Sequence, residues 1–193
     1  MVDTVKNKYG SIDYLINAAG VNIHGQFSKL DERDWDEVID INLKGVFLCC
    51  KAVWPIMTQQ KESQILTISS ASGLNSYPTG TIYCASKAGL NSFMDALTLE
   101  ASEVGIKVTN ICPGQIDTPM WNLNDGEVNN ARKYMLSADS IASLVDYVLT
   151  RPWNEQFKNL TLFPYEIKGS MQLLLRSKNR GPGGKFPTSQ ENN

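Results

Sequence analysis

The stretch QILTISSASGLNSYPTGTIYCASKAGLNSFMDALTLEASEVGIKVTNI, residues 64–111, contains the signals of a strand, a helix and a second strand in that order. Residues 65–68 form a short apolar run, and the Ser, Gly, Asn and Pro residues that follow are typical of a loop. Residues 81–104 are rich in Ala, Leu, Met and Glu, which favour a helix, and Gly105 is a typical helix end. Residues 106–111 then alternate as a strand does. Strands joined in this way are parallel, because a parallel pair needs a crossover connection.

The segments on both sides continue the alternation of strand and helix. Residues 12–16 form an apolar strand after a short amphipathic helix, and residues 159–163 form a further strand after another helix. An apolar stripe that includes Cys49 predicts one long helix over residues 31–57, kinked at Pro55. We therefore predict an α/β fold, with a parallel sheet covered by helices on both faces.

The composition argues against several classes of protein. With 193 residues, 18 Lys and Arg, 20 Asp and Glu, and a formal net charge of -2, the chain lacks the basic surplus of a nucleic-acid-binding protein. Its apolar runs are shorter than a membrane span. We expect no nucleic-acid partner and no membrane partner. The 4 cysteines match neither a disulfide framework nor a zinc spacing, so we predict no metal site and a cytoplasmic protein with reduced thiols.

Candidate functional residues collect where the predicted strands end. Ligands of parallel sheets bind beyond the carboxyl ends of the strands, which here are residues 17–20, 69–73 and 112–118. The helix that follows the second of these segments carries Tyr83 and Lys87 on one face, because they are one helical turn apart. Alone, such a pair is typical of a solvated helix face. Its place beside the strand ends makes it a candidate site.

The wider pattern resembles the short-chain dehydrogenase/reductase family. Tyr83-Cys84-Ala85-Ser86-Lys87 follows Ser70 and Asn42, and Pro113-Gly114 comes after the next strand, in the family's order. The resemblance implies a Rossmann-type doubly wound parallel sheet, of which this chain holds the C-terminal portion, about four strands with flanking helices. It also implies an NAD(P)-dependent oxidoreductase that transfers a hydride between a nicotinamide cofactor, NAD or NADP, and a small-molecule carbonyl or alcohol substrate.

The resemblance assigns a role to each site residue. Tyr83 would be the catalytic acid/base, Lys87 the lysine beside it, Ser70 the serine that binds the substrate oxygen, and Asn42 the fourth catalytic residue. A carbonyl freed by a helix break at Asn42 would hold a water that links Lys87 to solvent. The predicted cofactor-binding residues come from the turn Asn17-Ala18-Ala19-Gly20, the Tyr-Lys pair and the segment after the third strand: Asn17, Ala19, Gly20, Tyr83, Lys87, Pro113, Gly114, Ile116 and Thr118.

Elementary chemistry supports these roles. A phenol is a weak base at neutral pH, since its ordinary pKa is about 10. A neighbouring ammonium favours the phenolate, so we expect Lys87 to lower the pKa of Tyr83. Ser70 would donate to the same oxygen that Tyr83 protonates, so charge developing on that oxygen would meet two donors.

Several other side chains have competing interpretations. His24, the only histidine, is interpreted as a loop residue, because no carboxylate, cysteine or second histidine is spaced to form a triad or metal site with it. Cys84 is interpreted as helix packing rather than as a redox switch. Trp121, Tyr134 and Met135 lie in a segment that forms a lid in the family, and they are either walls of a pocket or packing of that lid.

The family's glycine-rich phosphate loop has no counterpart among the 14 glycines. We therefore expect a fragment, with a partial catalytic domain over residues 1–165 and a largely disordered extension over residues 166–193. Strand 12–16 would then be an exposed, aggregation-prone sheet edge, and cofactor affinity would be poor. The alternative is a cofactor-free pseudoenzyme or interaction module that retains the catalytic residues. The helices over residues 35–57 and 81–104 resemble the family's four-helix contact, which implies a homo-oligomer, a dimer or tetramer.

Overall fold

A computed structural model describes residues 1–121 and 132–165, and the predicted C-terminal extension lies outside these ranges. The strands are β1 (Tyr14–Asn17), β2 (Ser63–Ile68), β3 (Ile106–Pro113), β4 (Ile116–Asp117), β5 (Leu136–Ser137) and β6 (Asn159–Leu162). Four of them form one parallel sheet in the order β1-β2-β3-β6. The other two, β4 and β5, pair in parallel as a small separate sheet that the sequence pattern did not predict.

Helices alternate with these strands, as the sequence predicts. They are α1 (Val2–Tyr9), α2 (Glu32–Ile39), α3 (Gly45–Met57), α4 (Thr81–Glu103) and α5 (Ala138–Leu149). Side chains cap two of them: Asp31 accepts from two backbone N–H groups at the start of α2, and Ser137 accepts from the N–H of Ser140 at the start of α5. The predicted α/β fold class is confirmed.

The core has two parts because side chains of a strand alternate between the faces of a sheet. On one face, Ile65 of β2 and Val108 of β3 pack in a cluster with residues of α3 and α4. On the other, Leu66 and Ile111 pack against Val148 of α5. Helices therefore cover both faces, and the two central strands are buried along nearly their whole length, including polar residues such as Thr109 and Asn110 of β3.

The first strand begins later than the predicted 12–16. Both backbone groups of Ile12 are hydrogen-bonded to the side-chain amide of Gln60, so they are not available to a neighbouring strand. Pairing with β2 starts at Tyr14 and runs to Asn17. β1 is an edge strand of the described sheet, and Tyr14 and Ile16 are about half exposed, at 54% and 46%. The aggregation expected of this edge stays a prediction.

The prediction of a single long helix over residues 31–57 is wrong in one respect, because the helix is interrupted. One turn of π-helix, Asp40–Lys44, separates α2 from α3, and the N–H of Gly45 bonds to the carbonyl of Asp40, five residues back. After this turn the buried stripe contains Cys50 rather than Cys49, and the helix continues through Pro55. Within the described ranges no helix is long and apolar enough to cross a membrane.

Candidate active site

A cavity of about 550 Å³ opens at the carboxyl ends of the parallel strands. It lies where the chain leaves β1, β2 and β3, the usual place for a ligand in such a sheet. Most of the predicted site residues line it: Ala19, Gly20, Ser70, Tyr83, Lys87, Pro113, Gly114, Ile116 and Thr118. The sequence prediction therefore brought together residues that are up to 99 positions apart in the chain.

Ser70 follows the end of β2, in extended backbone geometry, and caps the short 3-10 turn Ala71–Gly73. Its Oγ accepts a hydrogen bond of 3.0 Å from the N–H of Ser72, which fixes the side chain. Ser70 lines the same cavity as Tyr83, and hydrogen bonding with its side chain acts to lower the pKa of the Tyr83 phenol. The two groups predicted to bind one substrate oxygen thus share one cavity wall.

Tyr83 and Lys87 lie in the first two turns of α4 and are 7% and 3% exposed. Burial raises the pKa of Tyr83, while the hydrogen bond from Ser70 lowers it. Burial lowers the pKa of Lys87 from 10.5 to about 8, and its Nζ donates to the carbonyl of Ile68 at 3.4 Å. Desolvation of the phenol outweighs the other effects on it, and the expectation that Lys87 lowers the pKa of Tyr83 stays a prediction.

Asn42 is fully buried in the π-helical turn, so the predicted helix break is present. It does not line the cavity, and its amide instead holds the turn that follows β1. Its Nδ2 donates to the carbonyl of Val21 at 2.9 Å, and its Oδ1 accepts from the N–H of Val21 at 2.8 Å. Its Nδ2 also donates to Ser86 Oγ, on the helix between Tyr83 and Lys87. The predicted water relay at this break stays a prediction.

Asn17 also lies outside the cavity lining. Its side-chain amide points into the fold, where it donates to Thr67 Oγ1 at 3.1 Å and to Cys50 Sγ at 3.8 Å. It thereby ties the end of β1 to β2 and α3. A direct contact between Asn17 and a cofactor stays a prediction.

Two residues of the cavity wall, Asn22 and Tyr77, were not predicted from the sequence. Burial raises the pKa of the Tyr77 hydroxyl, while hydrogen bonding with the side chains of Ser72 and Asn22 acts to lower it. The ring of His24 packs against two tyrosines, with ring centres 5.7 Å from Tyr77 and 6.2 Å from Tyr83. His24 is a loop residue, as interpreted, but one in contact with the candidate acid/base. No local pattern signals these contacts, because they join two loops.

Of the three residues in the segment that resembles the family's lid, Trp121, Tyr134 and Met135, one lines the cavity. Trp121 lines the cavity, and its indole N–H donates to the carbonyl of Ile116 at 2.8 Å, so Trp121 is a wall residue. Tyr134 and Met135 are not among the described lining residues. Cys84 is buried, in agreement with a packing role.

Two glycines of the cavity wall bear on whether the nicotinamide end of a dinucleotide would fit. A Cβ placed on Gly20 would come within 3.3 Å of Asn42 Oδ1 and 3.7 Å of Lys87 Nζ, so the glycine leaves room beside the lysine. Pro113 and Gly114 also line the cavity, and the N–H of Gly114 donates to the carbonyl of Leu162 at 2.8 Å. The residues present therefore fit this part of the cofactor.

Comparison with known proteins decides the family. The model of the short chain dehydrogenase family matches residues 1–128. The chain belongs to this family. An uncharacterized oxidoreductase of Staphylococcus saprophyticus is 33% identical over 164 residues, which are 85% of this chain and 68% of the relative. An uncharacterized oxidoreductase of Staphylococcus aureus is 30% identical, with 69% of its length matched. The predicted family is confirmed, and with it NAD or NADP as the cofactor class.

Solved structures of short-chain dehydrogenases share the fold. Serine dehydrogenase from Escherichia coli superimposes with a TM-score of 0.72 at 26% identity, over 83% of this chain and 67% of that one. A metagenomic short-chain oxidoreductase in complex with NADP gives a TM-score of 0.71 at 28% identity, over 84% and 66% of the two chains. The match confirms the Rossmann-type arrangement of the sheet and its helices.

Proposed function

We propose that the protein transfers a hydride between NAD or NADP and a small-molecule carbonyl or alcohol, with Tyr83 as the acid/base. One observation carries the proposal: Ser70, Tyr83 and Lys87 line one cavity at the strand ends, where Tyr83 and Lys87 are almost fully buried. Packing alone does not call for a buried phenol, hydroxyl and ammonium together, since each costs free energy when removed from water.

Ser70 and Tyr83 act on the substrate oxygen. When a carbonyl is reduced, its oxygen gains negative charge, and the Ser70 hydroxyl and Tyr83 phenol donate hydrogen bonds to it. Tyr83 then gives up its proton to the oxygen, and in the reverse direction its phenolate accepts the proton of the alcohol. Burial of the phenol favours its protonated form, which is the form needed for reduction.

Lys87 serves both the proton and the cofactor. Its ammonium can stabilise the phenolate of Tyr83 after proton transfer, and it can donate to the ribose beside the nicotinamide. Ala19, Gly20, Pro113, Gly114, Ile116 and Thr118 would hold the nicotinamide end, while Asn17 and Asn42 support the turn that carries the first two. The bound cofactor supplies or accepts the hydride.

A cofactor titration and a turnover assay test the proposal. The fluorescence of NADH and NADPH is followed on addition of protein, and oxidation of each is then measured with aldehydes and ketones. Because the glycine-rich phosphate loop has no counterpart in this sequence, we expect only weak binding of at least one cofactor, at concentrations well above the micromolar range, and slow reduction of some carbonyls. A Lys87→Ala variant should bind the cofactor more weakly and turn over more slowly. Absence of both binding and turnover would contradict the proposal and favour the cofactor-free pseudoenzyme or interaction module. Binding without any turnover would contradict the catalytic part of the proposal alone.

Two finer properties belong to the same proposal. We infer a homo-oligomer formed through α3 and α4, because Phe47, Leu48 and Leu99 on these helices are 46%, 53% and 65% exposed. We also infer a cytoplasmic, reducing location, supported by 4 cysteines that are all free. Light scattering coupled to gel filtration tests the first, and a Leu99→Lys variant should then run as a smaller species. Detection of the native protein only outside the cytoplasm would contradict the second.

A further inference from the structure

A buried polar network lies directly beneath the candidate active site. At its centre is the side-chain oxygen of Asn91, in the third turn of α4. This Oδ1 accepts hydrogen bonds from Ser69 Oγ at 2.5 Å, from Asn110 Nδ2 at 3.0 Å and from Cys112 Sγ at 3.4 Å. The four side chains are between 2% and 8% exposed. One helix residue is thus bonded to the ends of both central strands.

The partners of Asn91 are the immediate neighbours of predicted site residues. Ser69 precedes Ser70, and Cys112 precedes Pro113. Asn91 itself lies one helical turn after Lys87, so both side chains project from the same face of α4. Lys87 and Asn91 are both hydrogen-bonded to the end of β2. Lys87 Nζ donates to the carbonyl of Ile68, and Asn91 Oδ1 accepts from the adjacent Ser69.

Close backbone packing reinforces this arrangement. Gly73 ends the 3-10 turn that Ser70 begins, and a Cβ placed on it would lie 2.5 Å from Asn91 Nδ2 and 2.5 Å from the carbonyl group of Lys87. The turn therefore sits directly on α4 between these two residues. An asparagine is also a poorer helix former than leucine or alanine, and the Nδ2 of Asn91 is buried with no hydrogen-bond partner among the described residues. The three hydrogen bonds that its Oδ1 accepts from the strand ends therefore explain why it occupies this position.

We propose that Asn91 is a positioning residue for the proposed reaction: it fixes α4 against the ends of β2 and β3, and so sets where Lys87 and Ser70 lie relative to each other. Its expected effect on turnover rests on the proposed function, whereas its effect on geometry does not. Without the amide, the polar link between α4 and the end of β2 would be reduced to the bond from Lys87 Nζ to the carbonyl of Ile68, and α4 would meet the end of β3 through apolar contacts. Such contacts tolerate shifts that hydrogen bonds do not, and misplacement of about 1 Å can cost roughly 100-fold in rate.

The pKa of Lys87 depends on this geometry, and it can be measured in a protein that shows no enzymatic turnover. Lysine labelled with ¹³C at Cε is followed by NMR as the pH rises, and a Lys87→Arg variant assigns the resonance. In the intact protein, burial holds the pKa of Lys87 at about 8. Asn91→Leu keeps the volume and deletes the hydrogen bonds, so we expect Lys87 to gain water and its pKa to move up toward the ordinary value. The kcat should fall by roughly 10- to 100-fold.

The matched control is Thr98→Val. Thr98 is a buried residue of the same helix whose hydroxyl bonds only to the carbonyl of Met94, within α4, among the contacts of the described ranges. This variant also loses a buried hydrogen bond, but we expect the Lys87 titration and the kcat to stay unchanged. A shift common to both variants would indicate general loosening of the helix and would overturn the proposal.

An unchanged Lys87 titration in folded Asn91→Leu would overturn it as well. If that variant does not fold, Ser69→Ala replaces it, because it deletes one hydroxyl of the network and leaves Asn91 in place. The same upward movement is then expected, and its absence counts against the proposal. Lack of turnover by the wild-type protein with either cofactor contradicts the proposed function, and the titration still decides the role of Asn91.

Discussion

The ammonium of Lys87 lies 5.8 Å from the centre of the Tyr83 ring, one helical turn away on α4. At this distance the cation is within reach of the electron-rich ring face. Burial shifts the pKa of both groups toward their uncharged forms, upward for the phenol and down to about 8 for the ammonium. The pair is thus held in a dry site where a change in the charge of either residue acts strongly on the other.

Tyr83→Phe should abolish turnover while the protein keeps its fold. The substitution removes the proton donor and retains the buried ring, and loss of an acid/base group typically lowers the rate by about 100- to 10,000-fold. Tyr77→Phe is the matched control, because Tyr77 is a second tyrosine of the same cavity with a raised pKa. Steady-state rates with both cofactors measure the effect. Wild-type rates for Tyr83→Phe would contradict the assignment of the acid/base.

Lys87→Met should make stability less dependent on pH between about 8 and 10.5. The unfolded chain binds a proton at Lys87 up to its ordinary pKa of 10.5, whereas the folded protein releases it at about 8. Wild-type stability therefore rises with pH in this window, and the cost of the buried charge is fully present below it. We expect the variant to be more stable at pH 7 by on the order of 1–3 kcal/mol, with the difference shrinking toward pH 10.5.

Urea unfolding at several pH values measures this difference. Lys51→Met, at an exposed position of α3, is the control and should give a curve parallel to the wild type. A difference between Lys87→Met and wild type that stays constant from pH 7 to 10.5 would show that Lys87 titrates normally in the folded protein.

Gly73→Ala should destabilise the protein by about 1–3 kcal/mol, the usual cost of forcing extra volume into a packed site. The new Cβ would meet backbone atoms of Lys87 and the amide of Asn91 at 2.5 Å, and neither can move freely. Gly89→Ala is the control, since its Cβ would meet only the flexible side chain of Leu43 at 3.1 Å and its helix propensity improves. The midpoints of urea unfolding are compared for the two variants. Equal midpoints would show that the turn at Gly73 is not closely packed against α4.

Thr79→Asn should stabilise the protein. Thr79 has a φ of 69°, a left-handed conformation that costs a β-branched residue roughly 1–2 kcal/mol and that asparagine tolerates. The position matters because the carbonyl of Thr79 accepts from the N–H of Gly25, which joins the loop of Tyr77 to the loop of His24. We expect Tm to rise by about 2–4 °C in calorimetry. An unchanged or lower Tm would show that this backbone conformation carries no strain.

Features with a repeating local signal were predictable. The continuous apolar run of β2 and the helix signals of α4 gave elements close to the observed ones, and β3 extends only two residues past the predicted end at Ile111. Ser70, Tyr83 and Pro113 could be placed in one site because parallel strands end at the same edge. The geometry of the sheet, rather than any property of the loops, made this possible.

Features that depend on distant contacts were not predictable. The start of β1 depends on the amide of Gln60 at Ile12, and the packing of His24 on Tyr83 depends on a hydrogen bond between two loops. Asn91 gives no signal in the sequence, because a single polar residue in an apolar helix is ordinary until its partners are known. Each of these cases needs a partner that lies more than 20 positions away.

The π-helical turn at Asp40–Lys44 also sets the rotational phase of two helices. Val38 lies before the turn, and Val46, Cys50, Val53 and Met57 lie after it, and all of them are buried. Each residue advances an α-helix by about 100°, so a continuous α-helix would place Val46 roughly 80° away from Val38 around the axis. The wider π-helical turn takes up one extra residue and returns the later stripe to the side of Val38. A chain one residue shorter here could keep the same phase as a regular α-helix, so the extra residue serves the placement of Asn42 rather than the burial of the stripe.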